Sequence, residues 1–363
     1  MELSGRLSGI YQLWVNKSPE MGTVYIGIVT YNSLDDLAGC FAALTKQDYP
    51  DIKVIVVDNA SADGSVDWVR EHAPECQLII NRDNVGFGRA HNQIVKECAL
   101  RPGDFYMTLN PDAALIPEFV GQLVKVMTET GAGWAGGKLL LKEDNNQPTG
   151  QLYSAGQGIR RDGYVVNIGE GMPDAPIFNQ QREVFAVSGA ALMIRQETIQ
   201  AIAPAGELFD EQMFLYGEDM DVGWRARLQG WHCWYVPTAV AFHRGGRLDS
   251  KRRGQALGNT YLSVLKNAYL IDLISYNMPL IALNVIIRTL ISPSIGWALS
   301  KQLWQQFRTT LKKRRSAVIR RAEMMTWFRW TTEQSTTQAV GMTERIQRYL
   351  SKNKREAALR SRT

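Results

Sequence analysis

Between Thr23 and Thr130 the chain repeats one unit four times: a short apolar run, a polar corner, then an amphipathic stretch. "TVYIGIVT" reads as a buried strand, and "LDDLAGCFAALTKQ" as the helix after it, entered through an Asn-Ser cap. "IKVIVVDNA" with "DGSVDWVREHA", "QLIINR" with "GRAHNQIVKECAL", and "FYMTLNPDA" with "IPEFVGQLVKVMTET" repeat it. Strands alternating with helices in this rhythm predict a doubly wound, mainly parallel sheet. Ligands of such sheets bind beyond the carboxyl ends of the strands. Here those ends carry "TYNS", "VDNAS", "NRDNVGFG" and "NPDA", all polar and all on one rim.

After Gly136 the rhythm loosens. "WAGGKLLL", "REVFAVSGAALMIR" and "CWYVPTAVAFH" predict further strands, and "EDMDVGWRARLQ" a helix, as a second half of the same domain. From about Gln255 the pattern is helical throughout. The stretch from Tyr261 to Leu299 is very apolar, but Lys266, Asp272, Asn277, Pro279, Asn284, Arg288 and Pro293 interrupt it. No clean run of about 18–20 apolar residues is expected to span a bilayer. "QQFRTTLKKRRSAVIRR" then brings a dense basic cluster, and amphipathic helices with Trp and Lys/Arg rims suit a membrane interface. A helical hairpin packed on the body, or a dimer interface, is the competing reading.

Charge sharpens this division. Residues 251–363 hold 21 Lys and Arg against 5 Asp and Glu, a net of +16, and the remaining chain carries −11. Such asymmetry predicts an acidic body joined to a basic segment that meets something anionic, such as a membrane or a polyphosphate. Cys40, Cys76, Cys98 and Cys233 form no C-x-x-C pair, which argues against a disulfide framework or structural zinc and fits a reducing compartment. The first 21 residues lack an apolar core of signal-peptide length, so export is not expected. The expected layout is an extension over 1–21, an α/β domain over 22–250, a basic amphipathic helical region over 251–330, and a polar tail over 331–363.

Chemistry gathers at the rim. Asp58 ends the second strand, where a carboxylate can accept from a nucleobase or ribose; Asn59, Ser61, Asp63 and Gly64 also suit an ordinary capping turn. In "NRDNVGFGRAHN", Asn84 and the glycines about Phe87 allow a close backbone approach, and Arg89 at a helix start invites a phosphate. His91 reads as a packing histidine. Asn110 and Asp112, two positions apart, face one side in extended geometry and offer oxygens that suit magnesium or manganese better than zinc. Asn-Pro-Asp is equally a good β-turn. "LFDEQMFLYGEDMDVGWRARLQGW" packs Asp210, Glu211, Glu218, Asp219 and Asp221 together, more acids than helix capping needs, and one could serve as a general base. His243 ends the last predicted strand before Arg244-Gly245-Gly246-Arg247, a candidate third metal ligand beside a phosphate clamp.

Taken in order, "IVTYN", "VVDNASADGS", "NVGFGRAHN", "LNPDA", "VSGAALMIR", "FDEQMFLYGEDMDVGWRARLQGW" and "AFHRGG" resemble a family 2 glycosyltransferase of the GT-A fold, in its rhamnosyltransferase-like branch. The likeness covers roughly residues 22–250. It implies inverting transfer of a sugar, with rhamnose from dTDP-rhamnose leading and UDP-galactofuranose, UDP-glucose or UDP-N-acetylhexosamine behind. The implied partners are a nucleotide-diphosphate sugar, a glycan or polyprenyl-linked acceptor of cell-surface polysaccharide synthesis and Mg2+ or Mn2+, at the cytoplasmic face of an anionic membrane. By this resemblance Thr30, Asn32 and Asp58 hold the nucleoside, and Asn84, Gly86 and Arg89 lie along the nucleotide and diphosphate. Asn110-Pro111-Asp112 matches the metal-binding Asp-x-Asp motif with its first carboxylate replaced, and His243 completes the metal site. Ser188 and Gly189 border the donor sugar. Asp219 is the catalytic base, with Glu218 as its neighbour.

Two other classes compete. A nucleotidyltransferase would need a Gly-rich basic loop after the first strand, where this chain has the acidic "TYNSLDDL". A non-catalytic sugar-nucleotide or membrane-binding relic would be expected to lose Asp219 or Asp112, and both are present. The basic tail contains no recognisable nucleic-acid reading module.

Overall fold

The computed structural model describes residues 22–143, 147–245, 250–314 and 316–328. Its first half follows the four repeats: β1 (Val24–Thr30), α1 (Leu34–Leu44), β2 (Ile52–Asp58), α2 (Ser65–His72), β3 (Gln77–Ile80), α3 (Phe87–Glu97), β4 (Phe105–Leu109), β5 (Ala113–Leu115) and α4 (Phe119–Thr130). Strands β3, β2, β1 and β4 lie side by side and parallel, with Thr30 opposite Asp58, Asp58 opposite Ile80, and Ile28 opposite Leu109. That register brings their carboxyl ends to one rim. Both faces of β1 are buried, which is why its sequence shows no polar alternation. Leu37, Phe41, Phe119 and Leu123 from α1 and α4 pack on one face of the sheet, and Ala90 and Ile94 from α3 on the other.

The second half comprises β6 (Trp134–Lys142), β7 (Pro148–Ser154), β8 (Gln157–Ile159), β9 (Val165–Asn167), β10 (Arg182–Glu183), β11 (Leu192–Arg195), α5 (Gln196–Ile202), α6 (Glu218–Leu228) and β12 (Cys233–His243). It makes the sheet mixed, as the mainly parallel expectation did not anticipate. β11 runs antiparallel between β4 and β6, while β12 returns parallel to β6. The stretch expected as one strand, "REVFAVSGAALMIR", divides into β10, a buried 3-10 turn at Gly189–Ala191, and β11. The turn sits at the rim because the Asn110 amide donates to the Ala190 carbonyl at 2.9 Å. β5 pairs antiparallel with the end of β12, setting His243 opposite Ala113, just after Asn110-Pro111-Asp112.

Among the described residues four helices follow: α7 (Ser250–Asn267), α8 (Leu270–Ile291, with a π-helical turn at Leu273–Asn277), α9 (Pro293–Lys312) and α10 (Arg321–Trp327). They are built onto the body. Tyr261, Val264, Leu265, Leu299 and Met324 share a core with Phe185, Met220 and Trp224. Part of the charge asymmetry is neutralised internally. Lys266 reaches Asp210 at 2.6 Å and Asp221 at 2.8 Å, and Lys313 reaches Glu207 and Asp210, both at 2.6 Å.

The expected absence of a bilayer-length segment is corrected by α8, whose 22 residues are long and apolar enough to cross a membrane and are mostly exposed. Two of the interruptions that hid it, Asp272 and Asn277, point inward. Asp272 accepts from Arg321 at 2.6 and 2.7 Å, and the Asn277 amide donates to the Arg161 carbonyl at 3.0 Å. Much of what remains outside is apolar: Leu270, Ile271, Ile274, Leu283, Leu290 and Ile291 are exposed, as are Trp297 and Trp304 on α9, with Arg288 exposed among them.

Candidate active site

The first corner of the rim is built from β1 and β2. Thr30 Oγ1 donates to Asp58 Oδ1 at 2.9 Å, and the Ser61 amide donates to Asp58 Oδ2 at 2.9 Å. Asn32 adopts a left-handed conformation (φ 51°), its amide donating to Ser61 Oγ and its Oδ1 accepting from the Ala62 amide. These three expected nucleoside contacts therefore belong to one interlocked hydrogen-bond network. The Asn-Ser cap expected for α1 is replaced: Ser33 makes no side-chain cap, and Asp63 from the next corner accepts from both the Leu34 and Ser65 amides. One carboxylate thus ties two helix starts together.

The second corner lies after β3. Asn84 Oδ1 accepts from the Gly86 amide at 3.0 Å, and Gly86 (φ 86°) opens α3. Its lack of a side chain serves the protein itself, because a Cβ there would stand 2.4 Å from the Phe214 carbonyl oxygen. Arg89, expected along the diphosphate, donates through its Nε to Glu211 at 2.9 Å, and its side chain is largely exposed at the rim. His91 is buried as expected for a packing group, and burial pushes it down to about 3.

The third corner unites all three expected metal ligands. Asn110 and Asp112 lie in a turn closed by the Ala113 amide on the Asn110 carbonyl. His243 Nε2 is 3.1 Å from Asp112 Oδ1 and 3.2 Å from Asn110 Nδ2, and its buried Nδ1 has no partner among the described residues. Burial alone would raise the Asp112 carboxyl, but its hydrogen bond to His243 and the charges of His243, Arg244 and Lys142 together hold it below the usual carboxylate range. Among the described residues no three His, Cys, Asp or Glu side chains are grouped to hold a metal. The donor set is one carboxylate, one imidazole and the Asn110 amide, whose oxygen half a turn of the side chain would present. Such a set fits an octahedral cation that completes its shell from water and phosphate. Of the clamp expected beside it, Arg244 instead donates to Asp36 at 2.6 Å, and Arg247 lies outside the described residues.

The fourth corner is the start of α6. Asp219 Oδ2 accepts from the Gly189 amide at 3.0 Å and from Gln157 Nε2 at 3.1 Å, and its Oδ1 accepts from the Met220 amide at 2.8 Å. The turn at Ser188-Gly189 is thereby joined to Asp219. Glu218 is buried with one oxygen unpartnered, and burial beside the Asp219 charge pushes it up to about 8. The other acids of this segment are structural. Asp221 takes Lys266, Arg225 and Asn267; Asp210 takes Lys266 and Lys313; Glu211 takes Arg89.

Two residues at the centre escape sequence reasoning. The Tyr153 ring stands edge-on to His243, centroids 4.6 Å apart, and its hydroxyl shares a hydrogen bond with Ser188. Burial, with the charges of Asp219, Glu170 and Asp112, raises that hydroxyl well above the ordinary tyrosine range, so it stays a proton donor. Tyr153 thus bridges the third and fourth corners. Gln157, one hairpin on, is the side-chain donor to Asp219.

Known proteins carry the same pattern. The family model "Glycosyl transferase family 2" matches residues 25–201, and "Glycosyl transferase family group 2" matches residues 160–329. The chain is a family 2 glycosyltransferase. The transferase is similar to an N-acetylglucosaminyl-diphospho-decaprenol L-rhamnosyltransferase of Mycobacterium tuberculosis, 26% identical over 235 residues, which are 59% of this chain and 74% of that protein. It is also similar to the glycosyltransferase AglE of Haloferax volcanii, 25% identical over 137 residues, 36% of this chain and 44% of that one. A crystal structure of GalNAc-T7 with UDP, GalNAc and Mn2+ shares the transferase's fold with a TM-score of 0.54 at 15% identity, over 68% of this chain and 48% of that one. The architecture is GT-A followed by a C-terminal helical region.

Proposed function

We propose that this glycosyltransferase moves a sugar with inversion from a nucleotide-diphosphate donor to a lipid-linked or glycan acceptor, with rhamnose from dTDP-rhamnose as the leading donor. One observation carries the reading: Thr30–Asp58, Asn110–Asp112–His243 and Ser188-Gly189–Asp219 converge on one rim from segments up to about two hundred residues apart. The likeness to a rhamnosyltransferase whose name specifies a decaprenol-linked substrate supports both rhamnose and a polyprenyl carrier.

In this reading the nucleoside rests on Asp58, Thr30 and Asn32, with Asn84 beside it. The diphosphate lies over Asp112, Asn110 and His243. Bound there, Mg2+ or Mn2+ would supply Lewis-acid neutralisation of the leaving diphosphate. Asp219 accepts the proton of the acceptor hydroxyl, whose oxygen forms the new bond to the anomeric carbon. The bond from that carbon to the diphosphate breaks, and the nucleoside diphosphate leaves with the electron pair. A glycosidase needs two carboxylates flanking the bond; with the leaving group neutralised by a cation, one base suffices. Glu218, buried and with its carboxyl pushed up to about 8, precedes that base in the chain.

The transferase works, in the same proposal, peripherally at the cytoplasmic face of a membrane. The exposed apolar rows of α8 and α9, with Lys301, Arg308 and Lys312 exposed among them, fit an anionic interface. Association of two copies through the same face is the rival arrangement.

A donor panel of dTDP-rhamnose, UDP-galactofuranose, UDP-glucose and UDP-N-acetylglucosamine, scored for nucleoside-diphosphate release with Mg2+, Mn2+ or EDTA, tests the reading. Asp219→Asn should lower kcat by about 10²–10⁴-fold, the usual worth of a positioned base. Asp112→Ala should abolish the metal response. Full transfer by both variants, or transfer indifferent to EDTA, would sink the mechanism.

A further inference from the structure

The base sits at the start of a helix whose entry is conformationally unfavourable. Tyr216 (φ 72°) and Gly217 (φ 93°) are consecutive left-handed residues, followed at once by Glu218 and Asp219. Glycine accepts that conformation freely, whereas a bulky tyrosine does not. Something outside the turn must therefore hold it.

The holding group comes from the C-terminal helices. Asn259 on α7 is fully buried, and its Nδ2 donates to the Leu215 carbonyl at 3.0 Å and the Tyr216 carbonyl at 2.7 Å. Both side-chain donors are thus spent on the turn. Its Oδ1 accepts from Gln302 Nε2 of α9 at 2.9 Å, which fixes which way the amide faces. Gly258 makes room for that contact, since a Cβ there would lie 2.0 Å from Gln302 Oε1. The same face of α7 carries Lys266 and Asn267, seven and eight residues on, and both bind Asp221 within α6. The turn is pinned on its other flank too, where the Phe87 amide donates to the Phe214 carbonyl at 2.9 Å.

We propose that Asn259, oriented by Gln302, is a positioning residue for Asp219: it locks the Tyr216-Gly217 turn so that the carboxylate meets the Gly189 amide and the acceptor hydroxyl. The helical region is then part of the catalytic unit as well as a docking element. This rests on Asp219 being the base. Orientation is where a small displacement is expensive, because a misplacement of about 1 Å can cost on the order of 10²-fold in rate.

The test compares full-length Asn259→Asp, Gln302→Leu and Asp219→Asn. Each is assayed for turnover with the best donor of the panel, for UDP and dTDP affinity by calorimetry, and for amide hydrogen exchange across residues 214–221. Asn259→Asp keeps the size but removes both donors. It should lower kcat on the order of 10²-fold, leave nucleotide Kd within about twofold, and speed exchange across the turn. Gln302→Leu, which leaves the donors in place, should lower kcat by about tenfold or less and keep the inference testable if Asn259→Asp fails to fold. A purely structural role predicts losses of kcat and nucleotide affinity in step with the unfolded fraction, and that result overturns the clamp. Parent-like turnover in Asn259→Asp beside an inactive Asp219→Asn removes the clamp alone. Parent-like turnover in Asp219→Asn removes the base assignment, and the clamp with it.

Discussion

Two regions of this molecule gather carboxylates, and they treat charge in opposite ways. In the segment from Glu207 to Asp221, Asp210 and Asp221 are buried and met by Lys266, Lys313, Arg225 and Asn267. At the rim, among the described residues, Asp112 meets the His243 ring and feels the charges of Arg244 and Lys142, and Asp219 has neutral donors. The acids met by lysine and arginine at contact distance build the scaffold, whereas Asp219 keeps its charge among neutral donors. Both kinds occur within three residues of α6, where Asp219 and Asp221 differ chiefly in what faces them.

The largest expected effect breaks the compensated side. Lys266→Met leaves Asp210 and Asp221 buried, each short of one of its two cationic partners, and breaking such a group costs about 3–5 kcal/mol. Urea unfolding of the full chain should show that loss, whereas Asp219→Asn should change stability by about 1 kcal/mol or less. Equal losses in the two variants would erase the distinction. For the same reason, truncation at residue 255 is a poor probe of the helical region, because it removes Lys266, Asn259 and Lys313 together.

Glu218 stands between the two classes, buried like a scaffold acid yet without a countercharge among the described residues. Its carboxyl is pushed from 4.5 up to about 8, by burial first and the Asp219 charge second. Between those values the folded chain holds a proton that the unfolded chain has lost. The parent therefore loses stability as pH rises from about 4.5 to about 8, with no further loss above. Glu218→Gln cannot lose that proton, so its advantage over the parent should widen across the same window, on the order of 1–4 kcal/mol at pH 8. Melting curves of both proteins from pH 5 to 9 measure it. A constant difference would mean that Glu218 is ionised in the folded chain and belongs with the compensated acids.

What the sequence discloses divides along the same line. Local order is legible: the four repeats set the strands and helices of the first half, and the polar strand ends mark the rim. Company at a distance is not. The pairing of Arg89 with Glu211, 122 residues away, has no signal in the local sequence. Tyr153 and Gln157 sit in a hairpin region with no clear period, and only folding brings them to His243 and Asp219. Ser188 to Ala191 looks like a strand because its residues are apolar and buried, and a 3-10 turn satisfies both conditions equally well. In α8, residue-by-residue hydropathy counts Asp272 and Asn277 as interruptions, although both face the protein.

The smallest expected effect concerns the outer face of those helices, where the contrast becomes apolar against charged. Trp297 and Trp304 are 73% and 86% exposed, an arrangement with no benefit in water alone. Burying such side chains in an interface gains roughly 1.5–3 kcal/mol each at most, and each nearby Lys or Arg adds about 1 kcal/mol on an anionic surface. Trp297→Ser with Trp304→Ser should therefore weaken sedimentation with vesicles of mixed zwitterionic and anionic lipid by about 10–100-fold. Lys301→Gln with Arg308→Gln should weaken it less, and only where anionic lipid is present. Loss of a dimer in ultracentrifugation, with vesicle binding unchanged, would assign the apolar face to a second copy of the chain.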